Sequence, residues 1–158
     1  MTKMTLQPGE LGDLDAINRI VTRAIGTWNV SERVKRLSLP LYHYQPEDLD
    51  HLEFLLAMDD DRPVAIAAWE PAEAEQLPAG QTGLLLHGLY VDPDVAGGGT
   101  GSSLLSACRD AAVEQGFDGV LVKATRDAVG FFERSGLIRL PVIREGRDYE
   151  LRYWLAID

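Results

Sequence analysis

Apolar residues at Leu11, Leu14, Ile17, Ile20, Val21, Ala24, Ile25 and Trp28 recur at steps of three and four, the period of one face of a helix. Just before the turn Pro8-Gly9, Thr5-Leu6-Gln7 reads as a short strand. Ser31 with Arg33, Val34, Arg36 and Leu37 predicts a second, shorter helix. The Ser31 hydroxyl would cap its first turn, and Pro40, with no N–H to donate, would end it. The aromatic stretch Leu41 to Pro46 has no period and reads as a loop, the kind of segment that carries substrate contacts.

From residue 52 the period changes. Leu52 to Met58 predicts a strand, Asp59-Asp60-Asp61-Arg62 a solvated turn, and Val64 to Trp69 the returning strand of a hairpin. A polar loop covers Pro71 to Gln81. Leu84 to Val91 is apolar almost throughout, which predicts a strand buried on both faces. Ser102 to Gln115 then reads as a helix with Leu104, Leu105, Cys108, Ala111 and Ala112 inward. Gly119 to Ala124 is a short strand, and Asp127 to Ser135 a short helix closed by Gly136. Leu137 to Ile143 and Tyr149 to Ala156 are the last two strands, around the turn Glu145-Gly146-Arg147. This order predicts one α/β (α+β) domain over residues 1–158. Its mixed sheet would have about six or seven strands and about four helices, with antiparallel hairpins at both ends and a parallel pair in the middle.

Charge narrows the partners. The 15 Lys+Arg against 25 Asp+Glu give a net charge of −10, so the basic footprint of a nucleic-acid or anionic-membrane binder is missing. A small anionic ligand held by backbone amides stays compatible with that balance. The single cysteine, Cys108, leaves no disulfide framework and no Cys-rich metal site, and suits a cytoplasmic protein. Met1 to Glu10 shows no apolar run of a leader, and no stretch approaches the roughly 20 apolar residues of a membrane helix.

The candidate chemistry centres on Val91-Asp92-Pro93-Asp94-Val95-Ala96-Gly97-Gly98-Gly99-Thr100-Gly101-Ser102, between a predicted strand and a predicted helix. Glycines let the backbone take positive φ and present bare amides, and a helix N-terminus adds orphan donors and the positive end of its dipole. The combination is a phosphate cradle. No Lys follows Gly101, so a P-loop is excluded. A dinucleotide fingerprint counted from Gly97 or Gly99 puts Ser102 or Leu104 where its last glycine belongs, and the loop lies in mid-chain.

The loop resembles the acetyl-CoA loop of the GCN5-related N-acetyltransferases (GNAT), whose pattern Gln/Arg-x-x-Gly-x-Gly/Ala is met here as Ala96-Gly97-Gly98-Gly99-Thr100-Gly101. Ala96 replaces the Gln or Arg. Leu86-His87-Gly88-Leu89-Tyr90-Val91-Asp92-Pro93 is similar to the family's fourth strand with its Val-x-Pro exit. Ala128-Val129-Gly130-Phe131-Phe132-Glu133-Arg134-Ser135-Gly136-Leu137 is similar to its Ala-x-x-Phe-Tyr-Glu-x-x-Gly-Phe helix. The resemblance implies acetyl-CoA as co-substrate and no metal. By its terms Leu89, Tyr90 and Val91 would lie along the pantetheine arm. Gly97, Gly98, Gly99, Thr100, Gly101 and Ser102 would hold the pyrophosphate, and Thr125, Phe131 and Arg134 would approach the rest of the cofactor. It also allows a homodimer, for instance through the C-terminal strand pair.

Acetyl transfer to an amine makes three demands. An alkylammonium, with a pKa of about 10.4, must lose its proton. His87 is the candidate, as base or through a water, one pleat step from Leu89 in a Leu-His-x-Leu-x-Val setting like that of arylalkylamine-type members. The developing oxyanion needs a donor, for which the Leu89 N–H is placed. The departing thiolate would be protonated by the tyrosine of the Phe-Tyr pair, but Phe132 stands there. Either Tyr90, Tyr149 or Tyr153 serves instead, or the thiolate leaves unaided. The family's usual Asn is also replaced, by Thr125. Trp28, Tyr42, Tyr44 and Trp69 are candidates both for an acceptor pocket and for packing. The expected function is therefore an acetyl-CoA-dependent N-acetyltransferase acting on a primary amine of a small molecule or protein, cationic if the acidic surface guides it. A CoA-binding module of the same fold, weakened or inactive in catalysis, is the alternative.

Overall fold

The computed structural model describes residues 4–157, so the first three residues of the stretch read for a leader lie outside it. The elements run β1 (Met4–Pro8), α1 (Leu14–Ile25), α2 (Glu32–Tyr42), β2 (Glu53–Asp59), β3 (Arg62–Pro71), β4 (Gly83–Val91), α3 (Thr100–Glu114), β5 (Gly119–Lys123), α4 (Val129–Arg134), β6 (Ile138–Arg139) and β7 (Arg152–Ala156). The seven strands form one sheet in the order β1-β2-β3-β4-β5-β7-β6. As expected for the α/β reading, the sheet is mixed: β4 and β5 pair in parallel, while β1–β2, β5–β7 and β6–β7 are antiparallel. No helix among the described residues is long and apolar enough to cross a membrane.

By backbone proximity the chain groups into two units, residues 4–68 with 88–105 and residues 69–87 with 106–157. In the first, α1 buries Ile17, Ile20, Val21 and Ile25 completely, in one cluster with Leu52, Phe54, Leu56, Met58 and Ile66. Each such side chain contributes about 1.5–3 kcal/mol, so these four positions decide which face of α1 turns inward. Leu11, first in the predicted periodic run, is exposed because α1 begins only at Leu14. The chain beyond α2 is held by a reciprocal amide pair. Asn18 Nδ2 donates to the Tyr44 carbonyl at 2.9 Å, and the Tyr44 N–H donates to Asn18 Oδ1 at 2.8 Å.

Ser31 caps α2 as expected, accepting from the Val34 N–H at 3.2 Å. Pro40 does not end the helix, which continues to Tyr42. In the last turn a proline forfeits one hydrogen bond and its fixed φ remains helical. The His43 N–H still reaches the Leu39 carbonyl at 3.0 Å, and the Tyr42 ring stands edge-on to Trp28, centroids 5.2 Å apart. The first part of the predicted aromatic loop is thus helical.

In the second unit, Leu77, Leu121 and Trp154 form a buried cluster with Ala72, Leu85 and Leu140 packed against it. Cys108 and Ala112 of α3 are wholly buried, as the inward assignment required. β6 is shorter than the predicted Leu137–Ile143. The Leu140 N–H still bonds the Arg152 carbonyl at 2.8 Å, but Pro141 has no N–H to continue the ladder. Likewise β7 starts at Arg152 rather than Tyr149, because residues 143–148 are gathered around a carboxylate. Asp148 accepts from the backbone N–H groups of Arg144 (2.9 Å) and Ile143 (3.0 Å) and from Arg144 Nε (3.0 Å), with Arg152 Nη2 at 3.4 Å.

The Arg144 backbone N–H leads the groups that outweigh desolvation and hold the Asp148 pKa down to about 2. A depressed carboxylate stabilises the fold above its unfolded pKa, and the contribution fades as pH falls through the folded value. Thermal unfolding should show it intact above about pH 4 and lost progressively toward about pH 2. Asp148→Asn should lower Tm at neutral pH and flatten that acid limb; an unchanged limb would assign the acid sensitivity elsewhere.

Candidate active site

β4 outruns its parallel neighbour. The register with β5 ends at Leu86 opposite Val122, and β5 itself stops at Lys123, whereas β4 continues to Val91. Leu89, Tyr90 and Val91 therefore carry backbone N–H and C=O groups beyond that ladder. The expectation of burial on both faces holds only for the first part of the strand: His87 is exposed and Leu89 to Val91 are half-buried. Strand alternation puts the His87 and Leu89 side chains on one face and Gly88 on the other.

Gly88 is glycine for a steric reason. A Cβ there would collide with the Tyr44 hydroxyl and lie 2.8 Å from Tyr90 Cε2. Tyr44 is 3% exposed, with its ring edge-on to Phe54 at 4.9 Å, so it has nowhere to retreat. Burial is the main cause that pushes the Tyr44 and Tyr90 phenols well above the ordinary tyrosine range, with Tyr90 adding at Tyr44 and Tyr42 adding at Tyr90. Both therefore stay protonated at neutral pH and act as hydroxyls rather than phenolates. Gly88→Ala is expected to cost about 1–3 kcal/mol of stability, as overpacked cores do. Adding Tyr44→Phe should recover much of that loss, and a double variant no more stable than Gly88→Ala alone would disprove the clash.

β4 leads into the glycine loop through a single turn. The Val95 N–H bonds the Asp92 carbonyl at 3.0 Å and the Ala96 N–H bonds Pro93 at 3.3 Å. Gly97 and Gly99 then adopt φ of +85° and +84°, the left-handed region that explains why glycine is required there. α3 begins at Thr100, two residues before the predicted Ser102. Gly99 supplies the first acceptor of the helix: the Ser103 N–H donates to its carbonyl at 3.0 Å, and the Ser103 hydroxyl at 3.1 Å. The amides of Thr100, Gly101 and Ser102 thus precede the i→i−4 ladder and have no intrahelical partner. Ala96 to Gly99 are exposed, and no atom lies within 4 Å of where a Cβ on Gly97 or Gly99 would sit. Bare amides, an open approach and the positive helix end fit a pyrophosphate without a basic side chain.

Sequence reasoning passed over the residue that anchors this loop. The Asp92 carboxylate is fully buried and accepts Arg23 Nε at 3.0 Å, Arg23 Nη2 at 3.2 Å, Arg62 Nη2 at 3.4 Å and the Asp94 N–H at 2.9 Å. Burial by itself would raise its pKa. The Asp94 N–H, the Arg23 bonds and the charges of Arg23 and Arg62 overcome that and set it below the usual carboxylate range. The only local signal was an aspartate between a buried strand and a proline.

The remaining predicted residues lie in the second unit. Thr125 is half-buried and opens the turn before α4, its carbonyl accepting the Ala128 N–H at 3.0 Å. Phe131 is half-buried and meets the buried Phe132 edge-on at 5.2 Å. Arg134 is exposed, its Nη1 lying 2.9 Å from where a Cβ on Gly130 would be. Two of the tyrosines weighed as proton donors are engaged within the fold. Tyr153 donates to Glu133 Oε2 at 2.9 Å and Tyr149 to the Ala124 carbonyl at 2.9 Å. Tyr44 and Trp69 are buried among core residues, while Trp28 and Tyr42 are half-buried. His43 Nε2 lies 2.7 Å from the Thr22 hydroxyl and His51 Nε2 3.8 Å from Asp48 Oδ1.

Comparison with known proteins agrees with this geometry. The family model for the acetyltransferase (GNAT) family matches residues 21–137. No curated protein sequence matches the chain. Among solved structures, a GCN5-related N-acetyltransferase from Rhodopseudomonas palustris is 21% identical with a TM-score of 0.75, over 99% of this chain and 98% of that one. The PaiA N-acetyltransferase of Thermoplasma acidophilum, in complex with coenzyme A, is 13% identical with a TM-score of 0.75, over 98% and 99% of the two chains. A GNAT acetyltransferase from Brucella melitensis, in complex with acetyl-CoA, is 18% identical with a TM-score of 0.67, over 99% and 89%. At these identities the structures establish likeness of fold, and the family model, which spans most of the chain, establishes kinship. The chain belongs to the acetyltransferase (GNAT) family, and its fold is that of the family's members solved with coenzyme A and acetyl-CoA.

Proposed function

We propose that the protein moves the acetyl group of acetyl-CoA to a primary amine by direct attack within a ternary complex. The observation that carries this reading is the exposed loop Ala96–Gly99 running into the first turn of α3, two left-handed glycines followed by three amides ahead of the helical ladder. Gly97 to Ser102 hold the pyrophosphate, and the backbone of Leu89, Tyr90 and Val91, past the end of the β5 register, aligns the pantetheine arm. Thr125, Phe131 and Arg134 are assigned to the rest of the cofactor by family resemblance. Acetyl-CoA supplies the activated acetyl group as a thioester.

His87 takes a proton from the acceptor's ammonium, directly or through water, and the neutral amine then attacks the thioester carbonyl; His87 does so from its exposed place one pleat step before Leu89. The Leu89 N–H donates to the acetyl carbonyl oxygen. Phe132 holds no proton to give, and the Tyr149 and Tyr153 hydroxyls are committed to Ala124 and Glu133. Tyr90 packs on the core beside Tyr44, on the face of β4 opposite His87 and Leu89, so the thiolate departs on its own acidity. A thiol of pKa about 8.5 is a tolerable leaving group, so the absent tyrosine slows the step rather than closing it. The net charge of −10 favours a cationic acceptor. We further place the protein in the cytoplasm, which suits its one buried thiol, and favour a homodimer at the β6 edge, where Ile138 is exposed.

Phe132 and Ala96 also motivate the second reading, a CoA-binding module without catalysis. Titration calorimetry with acetyl-CoA and a panel of amines assayed for released CoA thiol test both. No heat of binding at millimolar acetyl-CoA would sink the first reading. Any acceptor-dependent thiol release rejects the second.

A further inference from the structure

The geometry points to Arg23 as a positioning residue for the pyrophosphate loop, acting through the buried Asp92 and through Asp94. This inference rests on the reading of that loop as the acetyl-CoA site. Arg23 lies in the last turn of α1, 69 residues from Asp92 along the chain. Its guanidinium forks onto both Asp92 oxygens and also reaches Asp94 Oδ2 at 3.0 Å, so one side chain grips both sides of Pro93. Arg62, at the start of β3, adds a donor to Asp92 Oδ2, and the Asp92 N–H donates to the Val64 carbonyl at 2.8 Å. With the Asp94 N–H on Oδ1, the carboxylate receives four donors, about its full acceptor capacity.

Two consequences reach the loop. Glycine-rich backbone has much conformational freedom to lose, so its amides converge only if both ends are held. The far end is held by the first bond of α3, Ser103 to Gly99, and the near end by Asp92. Within the loop itself Ala96 offers no polar side chain to do this. The second consequence is electrostatic. Asp92 and Asp94 are two carboxylates at the near end of the loop that would hold a polyanion, the first buried and the second exposed. The Arg23 charge offsets them, so its removal both loosens the loop and restores repulsion toward phosphate.

The test compares two thioesters, acetyl-CoA and S-acetylpantetheine, which lacks the pyrophosphate, by calorimetric Kd on the full chain. Arg23→Gln is expected to weaken acetyl-CoA by about tenfold, the worth of a charge-assisted bidentate contact, and to leave S-acetylpantetheine within about twofold. Arg23→Lys keeps the charge but loses the fork and should fall between. Should Asp92→Asn fold, it should reproduce Arg23→Gln; should it not, the two Arg23 variants decide alone, since that side chain is 41% exposed. Asp148→Asn, a carboxylate with a comparable arginine setting, is the control and should lower Tm with both Kd values unchanged. Equal losses for both thioesters, or an Arg23→Gln protein with native acetyl-CoA affinity, would overturn the inference while leaving the acetyl-CoA reading in place. A native chain that does not bind acetyl-CoA overturns both.

Discussion

Alanine at His87 is expected to lower kcat by about 10²–10⁴-fold, the range for loss of a positioned general base. The Kd of acetyl-CoA should change by less than about twofold in the same variant, because nothing the pyrophosphate loop uses is altered. The expectation follows from place as much as from residue type. His87 is exposed on β4 at the point where the β5 register has ended, and its side chain leaves the same face as that of Leu89. Steady-state kinetics with a saturating amine, together with the calorimetric Kd of acetyl-CoA, checks both points, and an unchanged kcat would remove His87 from the mechanism.

Gly99→Val should be nearly as damaging, and in the other kinetic constant. A β-branched residue at φ of +84° costs more than the roughly 1–2 kcal/mol charged to an ordinary left-handed residue. The chain will leave that conformation, and the loop amides will no longer converge. Together with weakened charge-assisted bonds, the expected rise in KM for acetyl-CoA is about 10²-fold. The strain should also lower Tm by a few degrees, although no atom lies within 4 Å of the substituted position. Gly97→Ala, with a smaller side chain at φ of +85°, should show the same pattern at lower amplitude. Native affinity in Gly99→Val would mean that the phosphate is bound elsewhere.

What could be read from the sequence and what could not divide along chain separation. The inward face of α1, the apolar runs of β2 and β3, and the glycine loop are local patterns, and the structure places Ile17, Ile20, Val21 and Ile25 in the core and Gly97 and Gly99 at left-handed turns. Boundaries erred where one bond decided them. The helix runs through Pro40 because only its last turn is affected, β6 stops short because Pro141 lacks a donor, and α3 starts early because Gly99 accepts for Ser103. Asp92 and Gly88 were illegible for a different reason. Their meaning lies in Arg23 and Tyr44, distant along the chain, and neither pairing leaves a period or a motif behind.

The chain's one thiol, Cys108, is wholly buried in α3. Each turnover releases a second thiol into solution, and thiol–disulfide exchange requires that the attacking sulfur reach its partner. The folded protein therefore cannot be glutathionylated or trapped as a mixed disulfide with oxidised CoA. A chromogenic disulfide used to count product would see a flat baseline from the native enzyme, and a rising one would report its unfolding.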